Sequence, residues 1–150
     1  MNILMMTNTY KPITGGLEKS IEAFTKEYRR QGHRVIIVAP DFENMEPEED
    51  VVRIPAIQNF NGTDFSVQLP VPGVLDDALG DFKPDIVHSH HPFLVGDTAL
   101  RIAYKQNVPI VFTHHTLYEQ NTHYVPGDSE DGQFEAAWRG PNSKVPRQRN

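Results

Sequence analysis

Apolar and polar positions along the chain follow two different periods. Residues 2–7 form a nearly unbroken apolar run, Ile3, Leu4, Met5 and Met6, of the kind found in a strand buried on both faces. Residues 17–31 switch to a spacing of three and four, with Leu17, Ile21, Phe24 and Tyr28 on one stripe, and predict an amphipathic helix. Glu18 and Glu22 fall early in that helix and Arg29 and Arg30 late, as the helix dipole prefers. Gly32 is placed to be its C′ residue. A second strand is predicted over 35–39, stopped by Pro40. An acidic loop spans 41–50, and a short third strand spans 51–54. Residues 59–73, rich in Asn, Gly and Pro, read as a long loop, and 74–82 as a short helix. A fourth strand at 85–87, a helix over 94–106 and a fifth strand at 109–113 complete the series. Strands alternating with helices predict an α/β, Rossmann-like, doubly wound and mainly parallel sheet with right-handed crossovers. Residues 127–150 lose this rhythm. Only Phe134, Ala136, Ala137 and Trp138 could dock there, so a polar, poorly ordered tail is expected.

The candidate chemistry collects where that scheme places strand ends. Five of the seven histidines follow the last two strands: His88, His90 and His91 after one, His114 and His115 after the other. In an open parallel sheet, ligands bind in the crevice outside the carboxyl ends of the strands. The His88, His90 and His91 cluster reads as a polar substrate pocket, a structural loop with His88 bonded to backbone, or a metal site. A hydrolytic metal centre would want carboxylates interleaved with these imidazoles, yet Ser89, Pro92 and Phe93 surround them. Side chains adjacent in a strand point to opposite faces, so only one of His114 and His115 is expected to face the crevice. An imidazole there is suited to proton transfer or to hydrogen bonding a reacting hydroxyl. Tyr118, Glu119, His123 and Tyr124 follow closely, a density of polar and aromatic groups suited to gripping a hydroxylated ligand. After the first strand, the loop from Asn8 runs to Gly15 and Gly16 and feeds directly into a helix. It reads either as a diphosphate site or as a tight turn with Thr14 as a helix cap.

Length and charge narrow the classes. A chain of 150 residues suits one domain. The net charge of −6, without a large basic patch, argues against a nucleic-acid partner. Lys26, Arg29, Arg30 and Arg34 at the end of the first helix could touch anionic lipid, although a solvated helix end is the commoner meaning of such a group. With no cysteine, thiol nucleophiles and thiolate metal sites are excluded, and a reducing, cytoplasmic setting is expected. Met1 to Thr7 lacks the basic flank of a signal peptide, and no apolar run is long enough to span a bilayer.

The opening from Met1 through Asn8, Lys11, Pro12, Gly15, Gly16, Leu17 and Glu18 resembles that of retaining glycosyltransferases of family four, which have the GT-B fold. Gly32 and His33 followed by Val35 to Pro40 fit the same opening, and Lys83 to His88 resembles a later strand of that family. The stretches from His88 to Gly96, from Thr113 to Glu119 and from His123 to Pro126 look most like the branch that glucosylates diacylglycerol. The resemblance covers about residues 1–126. It implies that Gly15 and Gly16 sit beside the donor's diphosphate and that His115 is the catalytic histidine near the reacting sugar. It also implies that His90, Tyr118, Glu119 and His123 serve the acceptor. The donor substrate would be a nucleotide sugar, with no further cofactor and no metal. Partners would be a lipid or other hydroxyl acceptor, the inner membrane face as a peripheral contact, and a separate carboxyl-terminal domain.

Such enzymes place the active site between two Rossmann-like domains, and the second of these, which carries most nucleotide contacts, is not in this sequence. The chain is therefore expected to be an amino-terminal, acceptor-side domain, 1–126, followed by an atypical tail, 127–150, and to be inactive alone. It reads as a fragment, an altered reading frame or a product of gene decay. Two other classes stand beside this one: a noncatalytic remnant or binding module that keeps the acceptor pocket, and a His-rich metal-dependent hydrolase.

Overall fold

A computed structural model describes residues 1–42, 45–57, 67–68, 73–92 and 95–115. In chain order the elements are β1 (Asn2–Met6), α1 (Gly16–Arg30), β2 (Arg34–Pro40), β3 (Val51–Ile54), β4 (Ala56–Ile57), β5 (Val67–Gln68), α2 (Val74–Leu79), β6 (Ile86–Ser89), α3 (Val95–Gln106) and β7 (Ile110–Phe112). Five strands form one sheet in the order β3-β2-β1-β6-β7. Every pairing within it is parallel, with Met5 opposite both Ile37 and His88. The α/β, Rossmann-like reading therefore holds, and the five main strands fall where the periodicity predicts them. The long-loop expectation for 59–73 needs one correction. Val67–Gln68 pairs antiparallel with Ala56–Ile57 as a separate two-stranded ladder.

Alternation along β1 sorts the core into two layers. Leu4 and Met6 face one side and pack with Ile36, Val38, Val87, Val95, Ala99 and Ala103, under α3 and with Leu75 and Leu79 of α2. Ile3 and Met5 face the other side and pack with Val35, Ile37 and Ile21, under α1 with Phe24 and Tyr28. The predicted stripe of α1 is thus the face that covers the sheet. Gly32 adopts φ +89, as its C′ place requires. At the other end of α1 the cap is Gly15, with no side-chain cap bond, so Thr14 is not the cap. The helix α2 ends at Leu79, short of the 82 expected from periodicity, because Gly80 turns to φ +54 while Phe82 drops into the core.

The chain runs from β1 outward through β2 to β3, then returns to β6 on the far side of β1 and continues to β7. The strand order therefore reverses direction between β1 and β6. Because the sheet is parallel, the loops that carry Gly15, His90 and His115 all leave from the same edge. The point of reversal on that edge is where open α/β sheets bind ligands.

Candidate functional site

The site is built from the loop after β1, the end of β6 with the residues that follow it, and the residues after β7. Two backbone extensions continue the sheet hydrogen bonding past the strand ends: His90 N–H donates to Met6 O at 2.9 Å, and Thr113 N–H to Ser89 O at 3.0 Å. Asn8 then ties the first two segments together. Its backbone N–H donates to His91 Nδ1 at 3.1 Å, and its Oδ1 accepts from Val95 N–H at 3.3 Å, at the first turn of α3. His91 is thereby fixed with a bare Nδ1 and its proton on Nε2. The close approach of α3 to this segment requires Gly96, since a Cβ there would lie 2.4 Å from His91 O.

The strand β6 extends through His88 to Ser89, so His88 is a strand residue rather than a loop residue. His88 and His90 share a face by the period of two, the face covered by α1. Both are buried, as is His91. Among the described residues it is side chains, not the backbone of a structural loop, that hold the His88 ring. Tyr28 OH lies 3.2 Å from its Nδ1, and Thr113 Oγ1 lies 2.7 Å from its Nε2. Its ring stacks on that of His90 with centroids 4.2 Å apart, and the His90 ring stacks on that of His115 at 5.1 Å. The edge of Phe24 closes the column from α1, 5.3 Å from the ring of His88.

His90 Nδ1 and His115 Nε2 are 2.8 Å apart, a direct hydrogen bond between imidazoles. His90 is wholly buried, and its Nε2 has no partner among the described residues. His115 is half-buried, while His114 is exposed and sets its ring edge-on to Phe112 at 4.5 Å. The adjacent pair thus diverges, with His115 on the inner side. Burial disfavours the imidazolium and depresses the basicity of every member of the column. His88 and His91 fall to about 4 and His90 to about 3, each also pushed down by His115. His115 is lowered by burial too. At neutral pH the cluster is therefore a set of uncharged imidazoles. Among the described residues, no three His, Asp or Glu side chains come together in an arrangement that could hold a metal ion.

At the glycine pair the two residues differ. The carboxylate of Glu18, itself buried, folds back over the helix start, where Thr9 Oγ1 donates to its Oε1 at 2.5 Å. A Cβ on Gly15 would meet Glu18 Oε2 at 2.7 Å, whereas one on Gly16 would meet nothing within 4 Å. The open approach to the first turn of α1 is thus at Gly16. Asn8, Glu18, Thr113 and Gly96 carry much of this geometry, yet none stands out as a site residue in the sequence. Three of the four bases at the end of α1 have partners within the fold. Arg30 pairs with Glu27 at 2.6 Å, Arg29 donates to Val35 O at 3.1 Å, and Arg34 lies 3.8 Å from Asp50. Tyr118, Glu119 and His123 lie outside the described residues.

The sequence model of Glycosyltransferase Family 4 matches residues 14–142. The chain belongs to glycosyltransferase family 4. An alpha-monoglucosyldiacylglycerol synthase of Streptococcus pneumoniae is 30% identical over 134 residues, covering 83% of this chain and 29% of the relative. A protein of the same name from Acholeplasma laidlawii is 30% identical over 129 residues, covering 83% of this chain and 32% of the relative. A GDP-mannose-dependent alpha-mannosyltransferase of Corynebacterium glutamicum is 23% identical over 135 residues, covering 84% and 32%. This family-4 chain therefore spans about a third of the length of the curated relatives it matches. Among solved structures, MurG of Acinetobacter baumannii aligns with a TM-score of 0.46 and 16% identity, over 81% of this chain and 38% of that chain. Among the described residues, no helix is long and apolar enough to cross a membrane.

Proposed function

We propose that this chain is the amino-terminal, acceptor-side domain of a retaining GT-B glycosyltransferase that moves a sugar from a nucleotide sugar to a hydroxyl acceptor. Diacylglycerol is the acceptor class favoured by the two 30% identical relatives, whose names make them diacylglycerol glycolipid synthases. The observation that carries the reading is the placement of His115. It stands half-buried on the carboxyl edge beside the reversal of strand order, with one ring nitrogen held from behind by His90. In that role His115 is the catalytic histidine. Tyr118, Glu119 and His123 bind the acceptor, and His90 serves it through its hydrogen bond to His115. The donor's diphosphate approaches the start of α1 at Gly16, beside Gly15, where helix amides favour an anion.

Transfer breaks the bond between the sugar's anomeric carbon and the diphosphate oxygen and makes a bond from that carbon to the acceptor oxygen. The acceptor's hydroxyl proton leaves with the diphosphate. The protein's part is to hold the acceptor close and to set hydrogen-bond donors where negative charge grows on the leaving group. Residues 1–126 form the domain and 127–150 an appendage to it. A carboxyl-terminal domain supplies the remaining donor contacts, so the chain alone does not turn over. A peripheral contact with the inner membrane face would bring diacylglycerol to the site.

The test is transfer of labelled sugar from a nucleotide sugar to diacylglycerol in vesicles. It compares the 150-residue chain alone with the chain fused to a family-4 carboxyl-terminal domain. The fusion should transfer and the chain alone should not. The chain alone should also bind nucleotide sugar weakly. A dissociation constant in the low micromolar range, about −8 kcal/mol, would mean that the donor site is here after all. A noncatalytic remnant would leave the fusion inactive, and a metal-dependent hydrolase would show stoichiometric metal and sensitivity to chelators.

A further inference from the structure

We propose that His90 is a positioning residue that fixes His115 in the tautomer with its proton on Nδ1, so that His115 meets its ligand as a hydrogen-bond donor and not as a base. The role of the donor rests on the reading of His115 given above; the tautomer itself does not. The argument starts from one shared proton. His90 Nδ1 and His115 Nε2 are 2.8 Å apart, too close for two bare nitrogens or two N–H groups. One nitrogen donates and the other accepts, which leaves two arrangements of a neutral pair.

If His115 Nε2 donated, His90 Nδ1 would be the acceptor and the proton of His90 would sit on Nε2. That nitrogen is buried with no partner among the described residues. A buried, unpaired N–H forfeits a hydrogen bond to water and is rare in folded proteins, while an under-used acceptor is better tolerated. The other arrangement puts the proton of His90 on Nδ1, donating to His115, and leaves its Nε2 as a bare acceptor. His115 must then carry its own proton on Nδ1, which among the described residues has no partner of its own. The packing keeps His90 from rotating out of this role. Its ring lies between those of His88 and His115, with centroids 4.2 and 5.1 Å away, and Phe24 is 5.8 Å from it. His88 is itself held at both nitrogens by Tyr28 and Thr113. A buried imidazole behind a half-exposed one thus sets which nitrogen faces the crevice, as partners of ligand histidines do elsewhere.

The consequence is chemical. An outward Nδ1–H can donate to a sugar hydroxyl or to a diphosphate oxygen as negative charge grows there, but it cannot take the acceptor's proton.

The test is the long-range proton–nitrogen spectrum of the imidazoles in the ¹⁵N-labelled 150-residue chain at neutral pH. His90 and His115 should each show a protonated Nδ1 and a bare Nε2. A protonated Nε2 on His115 would overturn the proposal, and this measurement needs neither a variant nor catalysis. Two variants extend it. His90→Asn places an amide N–H near the position of Nδ1 and should keep His115 in the Nδ1–H form. His90→Ala should release it toward the Nε2–H form. In the fused enzyme, His90→Ala should lower kcat by at least about tenfold with little change in KM, and His90→Asn should restore most of it. Equal kcat in all three, with transfer intact, would overturn the positioning role. A fusion without transfer, together with the expected spectrum, would sink the glycosyltransferase reading and leave the tautomer standing.

Discussion

Lowering the pH from 7 to 5 should unfold this domain far more readily than its surface charges would suggest. The cause is the buried imidazoles. His88 and His91 have basicities depressed from 6.5 to about 4, and His90 to about 3, mainly by burial. A depressed base binds fewer protons folded than unfolded. Below 6.5 the unfolded chain takes up protons that the folded chain refuses, so stability falls as the pH falls. The loss begins near 6.5 and continues until the folded groups protonate, near 4 for His88 and His91 and near 3 for His90. Between pH 7 and 5 each histidine contributes a loss of about 2 kcal/mol, and the three together about 5–6 kcal/mol. That is comparable to the whole stability of a small domain. Glu27, depressed to about 2 by Arg30, does not contribute in this window, because a carboxylate's stabilisation is lost only below about 4.5. Urea unfolding followed by circular dichroism at pH 7, 6 and 5 measures the effect. His90→Asn removes one of the three titrating groups and should flatten the dependence by about a third. A loss of less than about 1 kcal/mol between pH 7 and 5 would refute the burial of uncharged imidazoles described here.

Two further substitutions test the packing around the site. Gly96→Ala pushes a methyl group to 2.4 Å from His91 O and should cost about 1–3 kcal/mol, lowering Tm by several degrees, whereas Gly16→Ala meets open space and should be neutral or slightly stabilising. Thermal melts of both decide it, and a Gly96→Ala chain as stable as the parent would contradict the close approach. Thr25 Oγ1 is buried in α1 without a hydrogen-bond partner among the described residues, so Thr25→Val should hold or raise stability, by up to about 1 kcal/mol in urea titrations. A clear destabilisation by Thr25→Val would mean that the hydroxyl is used.

Much of the architecture is legible in the residue pattern, and the reasons are local. The run from Ile3 to Met6 must be buried on both faces, and the stripe of Leu17, Ile21, Phe24 and Tyr28 can cover only one side of a sheet. Gly32 ends α1 because the position needs a left-handed backbone. The small ladder of Val67–Gln68 with Ala56–Ile57 escapes notice because two-residue strands carry no period. At the site, the clustering of histidines after two parallel strands is enough to put them on the carboxyl edge of the sheet, where the structure has them. The period of two could also have placed His88 and His90 on one face. Their partners could not be read this way. Asn8 meets His91 across 83 positions and Tyr28 meets His88 across 60, and nothing in local spacing encodes such contacts. The role of Gly96 depends on how closely α3 approaches a backbone carbonyl, which only the packed molecule reveals. Glu18 reads as a helix-dipole acid, and only its fold-back over Gly15 shows that it closes one side of the glycine pair.

The most direct test of the account is steady-state sugar transfer by the chain fused to a family-4 carboxyl-terminal domain, comparing His115→Ala with His114→Ala. His115 lies against His90 on the inner side of the crevice, and His114 is exposed against Phe112. His115→Ala should lower kcat by about 10²- to 10⁴-fold. It should change stability by no more than about 1 kcal/mol, because water from the crevice can take over the hydrogen bond to His90. His114→Ala should leave turnover within about twofold. If His115→Ala keeps full turnover, or if His114→Ala is the inactive variant, His115 is not the residue that meets the reacting sugar.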